Sequence, residues 1–471
     1  MKLIKNYLYN LSYQILVILL PIITTPYVTR IFSSDNLGTY AFYNSIVTYF
    51  LLVAGLGVAN YGTRMTSQER GQSSTTFWSI YHLQLLATVI SVIFYAVAIL
   101  VFPQMQHPVA LLFTISIVSR GLDISWLFQG LEDFRRITVR NTLVKIFGVL
   151  SIFLFVKTSQ DLLKYVFFLI AFEALGQLSM WLPARRYIGK WQWDWQKIQH
   201  HFKPIILLFI PQIAITLYVS LDQTMLGLLA GTEDVGLYDQ ANKILKILLT
   251  VVTSLGTVML PRISGLVATN DESTIKRLYE LSFLVYNSVI FPMIFGMLII
   301  NQDFISIFLG PDFQEVQFAI AIMIWRLFFI GWTNIMGLQI LIPHGKNKEY
   351  MISTTVPAVV SVLLNLMLIP YLGFIGTAIT SVFSEALVWM IQLYATREQL
   401  QNLKIHQPLV KIFLASLVMF LGLLGLKQLI DVSAFVNIVI YLISGAILYS
   451  GMFYLLKVVD VKEIRSEFLK K

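Results

Sequence analysis

The chain has 471 residues, of which 57% are hydrophobic and only 13% charged, against about 25% charged in a typical soluble protein. With a mean hydropathy of +0.74 it lacks the polar surface to cover a globule of this size, which excludes a soluble enzyme, a disordered chain and a basic nucleic-acid binder. There is no cysteine, hence no disulfide, thiolate nucleophile or Cys-ligated metal, and the six histidines (His82, His107, His200, His201, His344 and His406) show no ligand spacing. The expectation is no catalytic residue and no metal site.

A bilayer core takes about 20 apolar residues per helix. Apolar windows bounded by charges, Pro and Gly predict an all-α integral membrane protein of about fourteen transmembrane helices. The first window, 8–31, follows Met1-Lys2-Leu3-Ile4-Lys5 in the manner of a signal peptide. Its apolar run is too long for one and lacks an Ala-x-Ala exit, so it is expected to remain as a helix. It carries Pro21 and Pro26, and is followed by windows at 38–62, 78–102, 109–129, 139–157 and 162–183. A second series runs 204–230 (with Pro204 and Pro211), 236–260, 280–300, 318–341, 351–370 and 374–395; windows at 408–429 and 434–456 close the chain. No connection is long enough for a soluble domain. Alternate connections, with both termini, carry 25 Lys and Arg, whereas the opposite set holds only Lys157, Lys164 and Lys427. By the positive-inside rule both termini are expected in the cytoplasm, and the +9 net charge is a matter of topology.

Two stretches match at one offset. Gly38-Thr-Tyr40-Ala-Phe-Tyr-Asn44-Ser-Ile46 aligns with Gly236-Leu-Tyr238-Asp-Gln-Ala-Asn242-Lys-Ile244, a shift of 198 that also carries Arg64 onto Arg262. Tyr27-Val28-Thr29 resembles Tyr218-Val219-Ser220, and Arg120 and Trp126 fall on Arg326 and Trp332 at a slightly larger shift. The order of matches predicts two parallel six-helix lobes, 1–200 and 201–400, plus two extra helices in 401–471, the parallel-repeat plan of alternating-access transporters. The paired prolines in the first helix of each lobe permit bending.

Pro26-Tyr27-Val28-Thr29-Arg30 before Asn36-Leu37-Gly38-Thr39-Tyr40 resembles the opening of Wzx-type polysaccharide repeat-unit flippases, of the multidrug/oligosaccharidyl-lipid/polysaccharide exporter superfamily. Asp123-Ile-Ser-Trp126-Leu-Phe-Gln129-Gly130-Leu-Glu132 with Asn141, Asp222-Gln223-Thr224-Met225-Leu226-Gly227, Gly236-Leu-Tyr238-Asp239 and Met259-Leu260-Pro261-Arg262 carry the resemblance along the chain. It implies a bacterial inner-membrane protein flipping a polyprenyl (undecaprenyl)-pyrophosphate-linked oligosaccharide to the outer leaflet. The glycan would serve O-antigen, capsule or exopolysaccharide assembly. It also implies the lipid-linked oligosaccharide and the bilayer as partners, polysaccharide polymerase and assembly proteins as further ones, and a functional monomer.

Ionisable groups inside spans are costly and are functional candidates. Here they are Arg30, Arg120, Lys145, Lys243, Lys246 and Arg326 against Asp123, Glu173, Asp222, Asp239 and Glu385. Arg120 with Asp123 and Asp239 with Lys243 are spaced to share a helix face, so salt bridges compete with ligand contact. Arg30, Lys246 and Arg326 have no acidic neighbour at helical spacing. Under the resemblance, Arg30, Arg120, Lys243, Lys246 and Arg326 are candidates for the pyrophosphate, Arg as a planar fork and Lys as a point charge. Glu173 and Glu385 have no basic neighbour within one turn, and a buried lone carboxylate can carry a proton. Asp222 could instead join Asn365 and Thr380 around a cation, as in some relatives. Proton and sodium coupling therefore both stay open, with no cofactor otherwise. Trp126 and Trp332 are either sugar-stacking rings or interfacial anchors, and the glycines of the last two spans permit close packing or a groove for a lipid tail. No Gly-x4-Gly-Lys-Ser/Thr motif is present, so ATP hydrolysis is not expected. The rival readings are a cation-coupled multidrug antiporter of the same superfamily and a membrane glycosyl-transferring enzyme.

Overall fold

A computed structural model of the chain describes residues 13, 16, 17, 19–69, 74–269, 271–430 and 432–458. Lys2, Lys5, Arg70 and the basic tail from Lys462 lie outside the described residues. Among those described, every regular element is helical. The order is α1 (Leu19–Val28), α2 (Ser34–Gly55), α3 (Val58–Gln68), α4 (Ser74–Val101), α5 (Pro108–Gly121), α6 (Ser125–Gly130), α7 (Phe134–Phe155) and α8 (Leu162–Ile188). Then come α9 (Trp195–Leu229), α10 (Thr232–Ala268), α11 (Glu272–Phe308), α12 (Val316–Met323), α13 (Arg326–Thr333), α14 (Asn347–Ala395), α15 (Arg397–Leu400), α16 (His406–Leu429) and α17 (Ala434–Leu455). Ten helical stretches among the described residues are long and apolar enough to cross a membrane. One of these, α14, breaks at Gly373 (φ 54°), between the windows expected at 351–370 and 374–395. The expected 204–230 and 236–260 lie within α9 and α10, which are not among the ten.

Local chemistry sets the boundaries. The Ser33 hydroxyl accepts from the Asn36 amide and starts α2, while Leu56 and Gly57, both at positive φ (42° and 71°), separate α2 from α3 within the expected 38–62 window. Pro108 occupies the first turn of α5, where its missing N–H costs nothing, and the Val109 amide donates to Nδ1 of His107 at 3.2 Å. Burial pushes the His107 imidazole below its ordinary value, which keeps that nitrogen an acceptor. At the start of α11, the Thr274 hydroxyl and amide and the Ser273 hydroxyl donate to Asp271 and hold its carboxyl below the usual carboxylate range. The expected span 318–341 is not one regular helix: it runs through α12 and α13 into a π-helix at Asn334–Leu341. Tyr279 donates to the Gln339 carbonyl, Ser282 to the Gln339 side chain and Tyr286 to Asn334, so α11 pins the widened turns.

By its contacts the chain divides into two units, 1–236 and 237–471. In the first, α2 packs on α4, α5 and α9, α3 on α6, and α8 on α5 and α7. An aromatic core of Tyr61, Phe77, Trp78, Tyr81, Trp126 and Phe128 fills the space around α3, α4 and α6. In the second, α11 packs on α16 and α17 around Phe291, Phe295, Met419, Leu423 and Tyr441. Outward faces are apolar: on α4, Leu86, Val89, Ile90, Ile93, Phe94 and Val97 are all exposed at helical spacing. That surface is stable only against lipid.

One contact in the first unit relates directly to the repeat. The start of α2 meets the first turn of α10, where a Cβ at Gly38 would lie 1.7 Å from the Thr232 carbonyl and one at Gly236 would lie 2.0 Å from the Ser34 carbonyl. Ser34 donates to Glu233 at 3.4 Å, and Thr232 donates to Asp35. Under the 198-residue shift each of these contacts maps onto the other. The two repeated glycines are therefore where two like backbones touch, which only residues without a Cβ allow.

Candidate functional site

In the first unit, α5 ends at a polar knot. Arg120 Nη1 donates to Asp123 Oδ2 at 2.8 Å, as the spacing of three predicts, and Asp123 Oδ1 accepts from the Ser125 amide and hydroxyl. Arg140 of α7 donates to the Ser125 hydroxyl at 2.8 Å and to Gln177 of α8 at 2.6 Å. Two arginines thus share one carboxylate, Arg120 directly and Arg140 through a serine relay. Gln84 of α4 donates to the backbone carbonyls of Arg120, Gly121 and Asp123, and accepts from the Trp126 indole at 3.1 Å.

Two cavities adjoin this knot. One, of 380 Å³, lies between α1, α7 and α8 and is lined by Arg140, Asn141, Lys145, Glu173 and Gln177 together with apolar side chains. The other, of 310 Å³, is lined by Arg120, Ser116, Ser119, Gln212 and Thr216 and shares Glu173 and Gln177 with the first. The structure therefore brings Arg120 and Glu173, two of the candidates, to one cavity. It also adds Arg140, which stands at the edge of the expected 139–157 window, is counted with the preceding connection and is not among the charged candidates. Because α7 begins at Phe134, Arg140 sits well inside the helix and not at its end. Arg30 is placed differently from the expectation. The helix ends at Val28, and Arg30 is exposed in the following turn, donating to the Pro26 carbonyl. Glu173 is exposed to the cavities and is not a buried carboxylate.

In the second unit, Lys243 pairs with Asp239 at 2.7 Å on α10. Arg326 of α13 donates to Asn242 of α10 at 3.0 Å and meets Glu385 of α14 at 3.8 Å. Glu385, taken from local spacing as a lone acid, and Arg326, taken as lacking a partner at helical spacing, are thus each other's partner across 59 positions of sequence. Their side chains are only 11% and 17% exposed, so the pair is largely desolvated. Lys246 is exposed, one turn beyond Lys243. Asn365 and Thr380 are buried in α14, on either side of the Gly373 break, and among the described residues the Thr380 hydroxyl has no hydrogen-bond partner. Asp222 is half-buried in α9 of the first unit.

The two repeat tryptophans are structural in each unit. Trp126 is 3% exposed, donates to Gln84 and packs against the bare backbone of Gly62. Trp332 donates to Asn287 at 3.0 Å and contacts Phe283, Phe328 and Trp389. Trp126 is too buried to be a free stacking platform, and Trp332 is half-buried. A separate apolar groove of 410 Å³ opens between α11, α16 and α17, lined by Pro292, Met293, Gly296, Met419, Tyr441 and Gly445 among others.

The chain matches the family described as polysaccharide biosynthesis protein over residues 3–267, more than half its length. It is 24% identical to a protein of Escherichia coli strain K12 provisionally named an O-antigen transporter, over 80% of this chain and 93% of that one. Among solved structures it resembles the lipid II flippase MurJ in an inward closed conformation, with a TM-score of 0.77, 15% identity and coverage of 96% of this chain and 99% of that one. An inward-facing MATE-family multidrug transporter aligns with a TM-score of 0.63 at 13% identity, covering 85% of this chain and 95% of that one. These relatives are named as transporters and flippases, not as enzymes, and the chain shares its fold with both solved structures. The family model covers more than half of the chain, which therefore belongs to the polysaccharide biosynthesis protein family.

Proposed function

We propose that this protein flips a polyprenyl-pyrophosphate-linked oligosaccharide repeat unit across the bacterial inner membrane by alternating access, for surface polysaccharide assembly. The observation that carries the reading is the coexistence of two kinds of cavity in a lipid-faced bundle. The first unit holds cavities whose lining includes charged and amide side chains, with two arginines on one carboxylate, and the second holds an apolar groove open between helices. A substrate with a hydroxyl-rich anionic head and a hydrocarbon tail needs both. On this reading the head crosses through polar space while the polyprenyl tail stays in lipid, with the groove of α11, α16 and α17 as its resting place. Lys243, Lys246 and Arg326 serve the diphosphate, alongside Arg30 and Arg120, and the two repeated lobes with fourteen crossings make the moving parts. Coupling runs through a proton or sodium at the acids Asp222, Glu173 and Glu385 with Asn365 and Thr380. The protein works as a monomer beside the polymerase and assembly proteins, with both termini in the cytoplasm.

The multidrug antiporter shares the fold, but the guanidinium-rich cavity disfavours a cationic drug. The deciding experiment is a deletion of the gene complemented with this chain, followed by analysis of lipid-linked sugars and surface glycan. Accumulation of the lipid-linked unit in the deletion strain and its clearance on complementation are expected. Cation-drug resistance with unchanged lipid-linked sugars would favour the antiporter.

A further inference from the structure

The cavity between α1, α7 and α8 has a structure of its own. Arg140, Val144 and Gly148 follow one another at intervals of four along α7, with Asn141 and Lys145 on the adjacent row, and Glu173 and Gln177 stand four apart on α8. One face of each helix is therefore committed to the cavity. At 380 Å³ its volume lies within the usual range of small-ligand sites, about 300–1,000 Å³.

Arg140 is fixed there by Ser125 and Gln177, and an Arg has five N–H donors. Ser125 and Gln177 take one N–H from each terminal nitrogen, which leaves each with a second N–H on a guanidinium whose side chain lines the cavity. A guanidinium held in place with donor capacity left over is preorganised for an oxyanion. Of the charged groups lining the cavity, Arg140 and Lys145 outnumber Glu173, so an anion is not repelled. Asn141, Glu173 and Gln177 offer amide and carboxylate partners of the kind that sugar hydroxyls take. Gly148 lines the cavity, and a Cβ built on it meets nothing within 4 Å. It leaves room where any larger residue would intrude.

We propose that this chamber is a binding site for a hydroxyl-rich oxyanion, the anionic part of the glycan head, with Arg140 as its anion donor and Gly148 as the residue that sets its bulk. The proposal rests on the flippase reading and deepens it. The oxyanion is either the diphosphate link or a carboxylate on the sugar.

The chain has no cysteine, so Gly148→Cys gives a single reporter thiol in the chamber of the full-length protein. Its labelling by a water-soluble maleimide is measured in nanodiscs with farnesyl diphosphate or a glucuronate-containing disaccharide as probe. Slower labelling with one of the two is expected, and the effective probe identifies the source of the anion. Adding Arg140→Gln should weaken that protection roughly tenfold, the loss of one charge-assisted hydrogen bond. Gly148→Trp should block glycan export in the complemented strain while the protein still elutes as a single folded species. Protection by neither probe, or protection unchanged by Arg140→Gln, overturns the chamber. Those results leave the flippase reading standing wherever the wild-type chain clears the lipid-linked unit, and failure of the wild-type chain to do so overturns the flippase reading itself.

Discussion

Arg326 and Lys246 separate two kinds of membrane charge. Arg326 lies in a desolvated pair with Glu385 and also holds Asn242. Removing one partner of such a pair leaves the other buried and uncompensated, which typically costs about 3–5 kcal/mol, whereas replacing both by apolar residues is often neutral. Arg326→Ala is therefore expected to lower the thermal unfolding midpoint in detergent strongly, and Arg326→Met with Glu385→Met to restore most of it. If the double variant exports normally, the pair is structural. If it is stable but inactive, Arg326→Met and Glu385→Gln measured singly separate loss of a substrate contact from loss of a coupling acid. Lys246 is exposed, so Lys246→Ala should change stability by no more than about 0.5 kcal/mol. Under the proposed diphosphate role its export should nevertheless fall, with Lys246→Arg keeping part of the activity. Wild-type export from Lys246→Ala at normal protein level would remove that lysine from the site.

At the scale of helices, the contact of α2 with the first turn of α10 depends on two glycines. A methyl at Gly38 would lie 1.7 Å from a backbone carbonyl, and backbone cannot swing aside as a side chain can. Gly38→Ala should therefore force the helix ends apart and destabilise the fold by about 1–3 kcal/mol, the usual range for overpacking. Gly236→Ala should do the same through the Ser34 carbonyl. Gly425 is the control, since nothing lies within 4 Å of a Cβ there, and Gly425→Ala should be neutral or slightly stabilising. Melting curves of the three variants test the comparison, and equal midpoints would show that the contact carries no stability. These glycines were legible in the sequence because the repeat marks them as a pair, and the local pairs Arg120–Asp123 and Lys243–Asp239 were legible because helical spacing of three or four is itself a contact rule. The Arg326–Glu385 pair was not, since a separation of 59 positions hides which helices meet. Nor was the π-helix at Asn334–Leu341, which tyrosines on another helix impose. Arg140 is passed over for a simpler reason. It is the second residue of the 139–157 window and reads with Arg135 and Arg136 as connection, whereas α7 begins at Phe134 and holds all three.

For the whole molecule, the connections predict an orientation. Twenty-five Lys and Arg lie on one set of segments and three on the other. Short connections obey the positive-inside rule most strictly, and the described ones here are short. The loop at 309–315, between α11 and α12, holds no Lys or Arg, whereas the α8–α9 connection from Ile188 to Trp195 is flanked by Arg185, Arg186, Lys190 and Lys197. A phosphatase reporter should therefore be active in the 309–315 loop and silent in the α8–α9 connection, with a fluorescent reporter giving the reverse. This orientation also bears on mechanism. Under it, the Phe134 end of α7, which carries Arg140, Asn141 and Lys145, would face the cytoplasm, and on the proposed flippase reading the chamber would meet the glycan first with its charged end. A phosphatase signal from the α8–α9 connection would invert the molecule. It would turn that charged end toward the outer face, making the chamber a release site in place of an entry site.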